Sequence, residues 1–217
     1  MSSWAPPGGA STRLVLVRHG STEHSLARRF SGRNTLPLDA AGEAQAAALA
    51  ARDHGDVTAV VSSPLIRTTQ TAAAIARRLG LTVETCDDLV ETDFGEWEGS
   101  TFAEVRERWP AELAAWAGSP DVAPPGGESF TEVTARVGRV RDALLDRYAG
   151  RTVVVVSHVT PIKTLLCLAI EAPPVAMYRI HLDTASVSIV DYAADRTPSV
   201  RLVNETSHLR HQEETRR

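Results

Sequence analysis

Two histidines in this 217-residue sequence stand close behind short apolar stretches. His19 follows residues 14–17 and Arg18, and His158 follows residues 153–156. An imidazole serves as a nucleophile or a proton carrier near neutral pH, and a guanidinium beside it binds oxyanions. Branched apolar runs of this length are typical of buried strands, and ligands bind where parallel strands end. The two imidazoles are therefore predicted to meet at one edge of a sheet.

A second arginine and a carboxylate are candidates for the same pocket. The apolar stretch 57–62 is followed by a serine pair and a proline, which suits the first turn of a helix and places Arg67 there. Backbone N–H groups in a first turn favour anions, so Arg18 and Arg67 would offer two planar donors to phosphate oxygens. Glu91, in an acidic loop, is the candidate carboxylate. Taken one at a time, a solvated Arg67, a structural His158 and a solvated acidic loop are the alternatives.

An alternation of apolar strands and helices would position these residues. Predicted strands are 14–17, 57–62, 81–85, 152–156, 178–182, 187–192 and 199–203. Predicted helices are 40–52, 65–79, 101–116 with a break near Pro110, 128–148, and one that begins at Pro161. The segment 118–127, rich in proline and glycine, is a candidate lid. This order predicts an α/β fold, a three-layer sandwich whose mostly parallel central sheet is flanked by helices.

Length and composition limit the class of protein. The chain fits one α/β domain, assigned to residues 13–205, after a flexible leader or linker at 1–12 and before a disordered tail at 206–217. The net charge of −4 argues against general nucleic-acid binding by this domain. The two cysteines have no metal or redox spacing, and neither a membrane span nor a signal peptide is present, so a cytoplasmic protein is expected.

Five short motifs occur in order along the chain. They are Arg18-His19-Gly20, Ser63-Pro64-Leu65-Ile66-Arg67, Glu91 with Phe94-Gly95-Glu96-Trp97, Pro125-Gly126-Gly127-Glu128-Ser129, and Val156-Ser157-His158. In this order they resemble the histidine phosphatase superfamily, with its phosphoglycerate mutase-like fold. The greatest likeness is to the branch of the α-ribazole phosphatases and the actinobacterial acid phosphatases. Some acid phosphatase domains of that type are fused to a ribonuclease H domain, and residues 1–12 fit a linker to such an upstream domain.

The resemblance implies a metal-independent phosphomonoester hydrolase that needs no cofactor. His19 would be the nucleophile and would carry a transient phosphohistidine. Arg18, Arg67 and a protonated His158 would bind the phosphoryl oxygens. Glu91 would protonate the leaving oxygen and then activate water. These roles require a neutral His19 beside a charged His158, and therefore neighbours that separate the two pKa values.

The sequence also departs from the family pattern. Ser25 stands where the family often has a phosphate-binding asparagine, and Ser31 and Gly32 lie where its substrate loop approaches the phosphate. Mutases carry a tyrosine in the acidic loop, which this chain lacks, and two adjacent arginines, whereas Arg106 and Arg108 are separated here. Hydrolysis is therefore favoured. The alternatives are a phosphoglycerate mutase-type isomerase and a catalytically weak domain that binds a phosphorylated ligand.

A small phosphorylated metabolite is the expected partner, and no membrane is. The expected substrate is α-ribazole phosphate or a broad range of phosphomonoesters. The strands near the C-terminus offer an edge that could pair in a homodimer. Trp97, Trp109 and Trp116 are interpreted as the core of the lid, and the alternative is an apolar wall for an aromatic leaving group.

Overall fold

A six-stranded sheet lies at the centre of the computed structural model, which describes residues 10–209. The strands are β1 Thr12–Arg18, β2 Val57–Ser62, β3 Val83–Thr85, β4 Thr152–Ser157, β5 Val187–Tyr192 and β6 Pro198–Glu205. Their order is β3-β2-β4-β1-β5-β6. The first four strands in this order pair in parallel, whereas the β1–β5 and β5–β6 pairings are antiparallel. The predicted α/β sandwich with a mostly parallel sheet is confirmed.

Several helices begin or end at capping residues that the sequence displays. Within residues 10–209 the α-helices are α1 Glu23–Leu26, α2 Ala40–Ala51, α3 Ile66–Leu79, α4 Phe102–Arg108, α5 Pro110–Gly118, α6 Phe130–Arg147 and α7 Val159–Ala169. Asp39 caps α2 by accepting the N–H of Gly42 at 2.7 Å, and Gly80 ends α3 with φ +69°. α7 begins two residues before the predicted Pro161, because the first turn of a helix tolerates a residue without an N–H.

Alternate residues of β1 contribute to two different cores. Leu14 and Leu16 pack with side chains of α6 and α7, whereas Val15 and Val17 pack with side chains of α2 and α3. All four are at most 1% exposed. Because helices cover both faces of the sheet, β1 and β4 have continuous apolar sequences rather than alternating ones. The residues that follow these strands are therefore attached to the buried centre of the sheet.

Aromatic side chains form a third, smaller core. Trp97 is fully buried and lies edge-on to Trp116, with 5.5 Å between the ring centroids. Phe94 and Phe130 belong to the same cluster, and the partly buried Trp109 packs against it. Trp97 and Trp116 are therefore core residues, and Trp109 packs at the edge of the same core.

One predicted strand is wrong. Residues 178–182 do not form a strand, and Pro174–Arg179 is a 3-10 helix instead. The ring of Tyr178 packs against Trp116 at 5.9 Å between centroids, and its hydroxyl donates to the Trp116 carbonyl. The apolar alternation in this segment therefore reflects contact with the aromatic cluster, while β5 occupies the sheet position beside β1.

Secondary structure extends past both predicted domain boundaries, 13 and 205. Thr12 already belongs to β1, and Ser207–Leu209 forms a 3-10 turn. The His208 ring lies 3.0 Å from the Ala185 carbonyl, so this part of the predicted tail packs on the domain. The rest of the predicted leader, residues 1–9, and of the tail, residues 210–217, lies outside the described residues. No helix within 10–209 has the length and apolar character that a membrane span requires.

Candidate active site

The two histidines meet at the carboxyl ends of neighbouring parallel strands. β1 and β4 pair in register through Arg18 and Ser157, and the N–H of His19 donates to the Ser157 carbonyl at 3.1 Å. His158 follows β4 and is the N-cap residue of α7. The imidazole centroids are 5.2 Å apart, with 62° between the ring planes. The predicted meeting of His19 and His158 is therefore observed.

The hydrogen bond of His19 determines its tautomer. Nδ1 lies 2.7 Å from the carbonyl oxygen of Gly20, which can only accept, so Nδ1 carries the proton. Nε2 then keeps its lone pair. Burial, followed by the charges of Arg18 and Arg67, lowers the pKa of His19 well below its ordinary 6.5. His19 is thus a neutral imidazole with a nucleophilic nitrogen.

His158 is neutral as well, which differs from the expectation. Its ring is fully buried, with Nε2 2.8 Å from Ser63 Oγ and no hydrogen-bond partner at Nδ1. Burial, then the positive charge of Arg67, lowers the pKa of His158 well below 6.5. No carboxylate within residues 10–209 hydrogen-bonds to either ring. The expected separation of the two pKa values is absent, because the same buried positive charges act on both imidazoles.

Arg67 is fully buried in the first turn of α3. Its Nη1 donates to the Asn34 carbonyl at 3.0 Å and its Nη2 to the Gly32 carbonyl at 2.6 Å. These bonds hold the loop 31–34 against α3. The Nε of Arg67 has no partner. The alternative that Arg67 is a solvated helix residue is thereby excluded.

Three buried nitrogen atoms at this site lack a hydrogen-bond partner. They are Arg18 Nε, Arg67 Nε and His158 Nδ1. The Arg18 guanidinium is fixed by its Nη1, which donates to the Leu182 carbonyl at 2.6 Å. Unpaired buried polar atoms are costly in folded proteins, and two of these atoms are N–H donors of cations. The site is therefore built for a ligand that brings acceptor oxygens and negative charge.

Glu91 lies at the same site. Its carboxylate accepts the N–H of Thr92 at 2.8 Å and that of Thr160, in the first turn of α7, at 3.2 Å. Both bonds fix the side chain, which is 5% exposed and faces the cavity. The predicted carboxylate is thus the one that the fold brings to the two histidines.

A buried ion pair that the sequence reasoning missed holds the Glu91 segment. Arg136 on α6 donates to both carboxylate oxygens of Glu128, at 2.8 and 2.9 Å. The same guanidinium donates to the carbonyl of Asp88 at 2.6 Å and to that of Glu91 at 3.3 Å. Arg136 lies between Val133 and Val140 on the apolar face of α6. A charge on such a face is the sequence signal that could have identified it.

A cavity of about 310 Å³ opens in front of these residues. Five of the eight predicted site residues line it: Arg18, His19, Ser25, Ser31 and Glu91. The other three, Gly32, Arg67 and His158, are not part of its lining. The His158 ring nevertheless lies 5.2 Å from that of His19, and the charge of Arg67 acts on His19. The sequence reasoning missed most of the remaining wall, which consists of Thr22, Arg28, Arg29, Phe30, Phe94, Phe102, Val159 and Thr160. No three His, Cys, Asp or Glu side chains in residues 10–209 are placed to share a metal ion.

The predicted phosphate contact of Gly32 is not supported by its hydrogen bonds. Its N–H donates to both carboxylate oxygens of Glu98, at 2.9 and 3.0 Å, and its carbonyl accepts from Arg67. A Cβ at this position would come 2.5 Å from the Thr92 carbonyl oxygen. Gly32 therefore permits close packing of the loop and offers no free donor.

Ser25 and Ser31 differ in whether the hydroxyl can still donate a hydrogen bond to a phosphate oxygen. The Ser25 hydroxyl donates to the Thr22 carbonyl at 2.8 Å and accepts the Thr22 N–H, which completes the capping box of α1. It has no proton left for a phosphate oxygen. Ser31 Oγ accepts from Asn34 Nδ2 at 2.9 Å and keeps its own proton. Ser31 is therefore the better donor of the two.

Comparisons with known proteins match almost the whole chain to one family. The family model described as the histidine phosphatase superfamily, branch 1, matches residues 14–206. The bifunctional protein Rv2228c of Mycobacterium tuberculosis is 52% identical over 208 residues, which cover 95% of this chain and 57% of that protein. The chain thus spans little more than half the length of this relative.

Other relatives are named either as phosphatases or as phosphoglycerate mutases. Phosphoserine phosphatase 1 of Hydrogenobacter thermophilus is 35% identical over 91% of this chain and 94% of its own. A probable phosphoglycerate mutase of Cronobacter sakazakii is 35% identical over 83% of this chain and 85% of its own. The crystal structure of a putative α-ribazole-5′-P phosphatase from Escherichia coli has a TM-score of 0.82, at 28% identity over 90% of this chain and 97% of that one.

Proposed function

Because the chain belongs to the histidine phosphatase superfamily, we propose that it hydrolyses phosphomonoesters through a phosphohistidine on His19, without a metal ion. The observation that carries the proposal is the hydrogen bond from His19 Nδ1 to the Gly20 carbonyl. It leaves a lone pair on Nε2 beside the unpartnered donors of Arg18 and Arg67. A nucleophile and an oxyanion site are thereby combined in one cavity.

In the first step, Nε2 of His19 attacks phosphorus and the bond from phosphorus to the ester oxygen breaks. Glu91, in its acid form, gives a proton to the leaving oxygen, so that an alcohol departs. Arg18 and Arg67 bind the phosphoryl oxygens, whose charge the transition state spreads. The negative charge of the bound phosphoryl group should also raise the pKa of the neighbouring His158. The protonated ring would then donate from both nitrogens.

In the second step, Glu91 acts as a base. Its carboxylate takes a proton from water, and the hydroxide oxygen attacks the phosphorus of the phosphohistidine. The bond between phosphorus and Nε2 breaks and the lone pair returns to His19. Inorganic phosphate leaves, and Glu91 is again in the acid form that the next turnover needs.

The low pKa of His19 supports turnover in acid. Below pH 6.5 an ordinary histidine becomes protonated and loses its nucleophilic lone pair. Because burial and two arginines lower the pKa of His19, its Nε2 stays unprotonated at mildly acidic pH. An acid phosphatase with α-ribazole phosphate or a range of small phosphorylated metabolites as substrate is the activity that we propose.

Hydrolysis is better supported than isomerisation. Arg106 stacks over the ring of Phe102 at 5.9 Å, and Arg108 over that of Trp109 at 4.2 Å. Neither arginine lines the cavity. Helix α4 therefore does not provide a pair of arginines that could bind a second acidic group of the substrate inside the cavity. Both His19 and Glu91 are in place, which favours turnover over ligand binding alone.

Replacing His19 by alanine tests the proposal. With 4-nitrophenyl phosphate, His19→Ala should lower kcat at least about 10³-fold, because no other group forms the covalent intermediate. His181→Ala is the matched control, since that ring is 80% exposed. Activity of His19→Ala near that of the control would contradict the nucleophile. With 3-phosphoglycerate, phosphate release should exceed formation of the 2-phospho isomer, and the reverse would favour the mutase.

A further inference from the structure

The outer wall of the cavity contains two adjacent arginines with different environments. The guanidinium of Arg29 donates to the Gly99 carbonyl at 2.8 Å and to the Glu104 carboxylate at 3.1 Å. Arg28 also lines the cavity, but its guanidinium makes no hydrogen bond or ion pair with residues 10–209. Arg28 is thus the outer cation whose charge remains available.

The backbone at Arg28 is strained. Its φ is +53°, in the left-handed region where a side chain costs about 1–2 kcal/mol relative to the usual conformation. Five non-glycine residues within 10–209 have a positive φ, and Arg28 alone among them lines the cavity. Strain of this kind persists where the surrounding structure enforces it, and it is concentrated at ligand sites. The strained residue here is a cation that lines the cavity.

Aromatic rings form part of the same wall. Phe30 and Phe102 are stacked with 6.4 Å between their centroids, and Phe102 is 50% exposed. These rings offer an apolar surface to the carbon skeleton of a leaving group. A phosphoryl group bound by Arg18 at the inner end would leave such a skeleton beside the rings and its far end toward Arg28.

The charges of the wall favour an anion at that far end. The cavity is lined by three arginines and a single carboxylate, Glu91, although the chain carries a net charge of −4. Glu91 is already held by the N–H groups of Thr92 and Thr160. A phosphoryl dianion at the inner end would compensate Arg18 and Arg67. Arg28 would still lack an anionic partner.

We propose that Arg28 is a specificity-determining residue that binds a second anionic group, a carboxylate or a phosphate, on the leaving group of the substrate. The substrate class is then a phosphomonoester whose leaving group has an apolar or ring portion with an acidic group beyond it. This inference rests on the proposed phosphatase activity.

A pair of isosteric substrates tests this role. 4-Carboxyphenyl phosphate carries the acidic group, and 4-carbamoylphenyl phosphate has the same shape without the charge. The measured quantity is the ratio of kcat/KM for the first substrate to kcat/KM for the second. Arg28→Gln should lower this ratio about 10-fold or more, mainly through a higher KM for the carboxylate, because a charged hydrogen bond is lost.

Two further variants make the result specific. Arg28→Lys keeps the charge and should restore the ratio to within about 3-fold of the wild type. Arg106→Gln removes an exposed cation that lies on Phe102 outside the cavity, and the ratio should change less than 2-fold. A ratio for Arg28→Gln within 2-fold of the wild type would overturn the inference. So would an equal decrease in Arg106→Gln, which would indicate a general electrostatic effect.

The proposed function can fail separately from this inference. If the wild type hydrolyses neither substrate, the phosphatase activity is wrong. The two compounds are then compared by calorimetric Kd instead. A loss of carboxylate preference in Arg28→Gln would support the anion site, and an equal preference in both proteins would overturn it.

Discussion

The inner and outer ends of the cavity are built in different ways. At the inner end, His19, His158 and Arg67 are at most 5% exposed and are attached to strand ends or to the first turn of a helix. At the outer end, Arg28 is exposed and Phe102 is half exposed, on a loop and on a short helix. The proposed chemistry thus lies on buried strand ends and a helix start, whereas the proposed recognition of the leaving group lies on exposed elements.

Removing the carboxylate at the inner end should have the largest effect. Glu91→Gln keeps an oxygen that can accept from Thr92 and Thr160 but cannot exchange a proton. We expect kcat for an alkyl phosphate to fall about 10²–10⁴-fold, the usual contribution of a general acid and base. Steady-state phosphate release measures this. Glu96→Gln, an exposed residue of the same loop, is the control, and an equal loss there would contradict the role of Glu91.

Breaking the buried ion pair behind Glu91 should reduce stability. Arg136→Met leaves the Glu128 carboxylate buried without its main partner, which should lower the free energy of unfolding by about 3–5 kcal/mol. Urea denaturation measures the change. The double variant Arg136→Met with Glu128→Met should recover part of the loss, since no charge is then left unpaired. A single variant as stable as the wild type would show that the pair does not fix this segment.

The neutral histidines predict a pH dependence of stability. Their folded pKa values lie below the unfolded value of about 6.5, so the unfolded chain binds more protons as the pH falls below 6.5. The free energy of unfolding is therefore highest above pH 6.5 and decreases as the pH falls toward 5. The slope of the free energy of unfolding against pH should reach about 1.4 kcal/mol per pH unit for each of the two histidines.

The variant His158→Asn isolates this effect. Burial also lowers the pKa values of His54 and His208, which contribute equally in both proteins. Urea denaturation between pH 5 and 7 should therefore give a slope about 1.4 kcal/mol per pH unit smaller in the variant. Identical slopes would mean that His158 binds its proton over the same pH range in the folded protein as in the unfolded chain, so that its pKa is not lowered.

The strained position at the outer end predicts the smallest effect. Arg28→Gly removes the cost of a left-handed side chain and should raise the free energy of unfolding by about 1 kcal/mol. Thermal unfolding measures it. Arg29→Gly should lower stability, because that guanidinium holds Gly99 and Glu104. A loss of stability in Arg28→Gly would show that the arginine is needed for folding.

The sequence predicted the inner end well because the signals are local. Continuous apolar runs identified β1 and β4, and the parallel register of these strands then places His19 and His158 side by side. A proline before α3 placed Arg67 in its first turn. Each of these inferences needs only a few neighbouring residues and the rules of strand packing.

The outer end could not be predicted in this way because distant segments determine it. Phe30 is held by Ser100 and Gly99, about 70 positions away, through backbone hydrogen bonds of 2.8 and 2.9 Å. The neutral state of His158 depends on the balance of several buried charges, and the wrong strand at 178–182 depended on packing against Trp116. None of these contacts can be inferred from the neighbouring residues alone, and at 178–182 the local alternation indicated the wrong element.

The most direct test of the central claim is a rapid-quench experiment with Glu91→Gln and 4-nitrophenyl phosphate. The good leaving group needs no acid, whereas release of phosphate from the enzyme needs the missing base, so the intermediate should accumulate. We expect a burst of nitrophenolate stoichiometric with the enzyme, and alkaline quenching with peptide mapping should place the phosphoryl group on His19. A phosphoryl group on His158, or no covalent phosphate during turnover, would contradict the account.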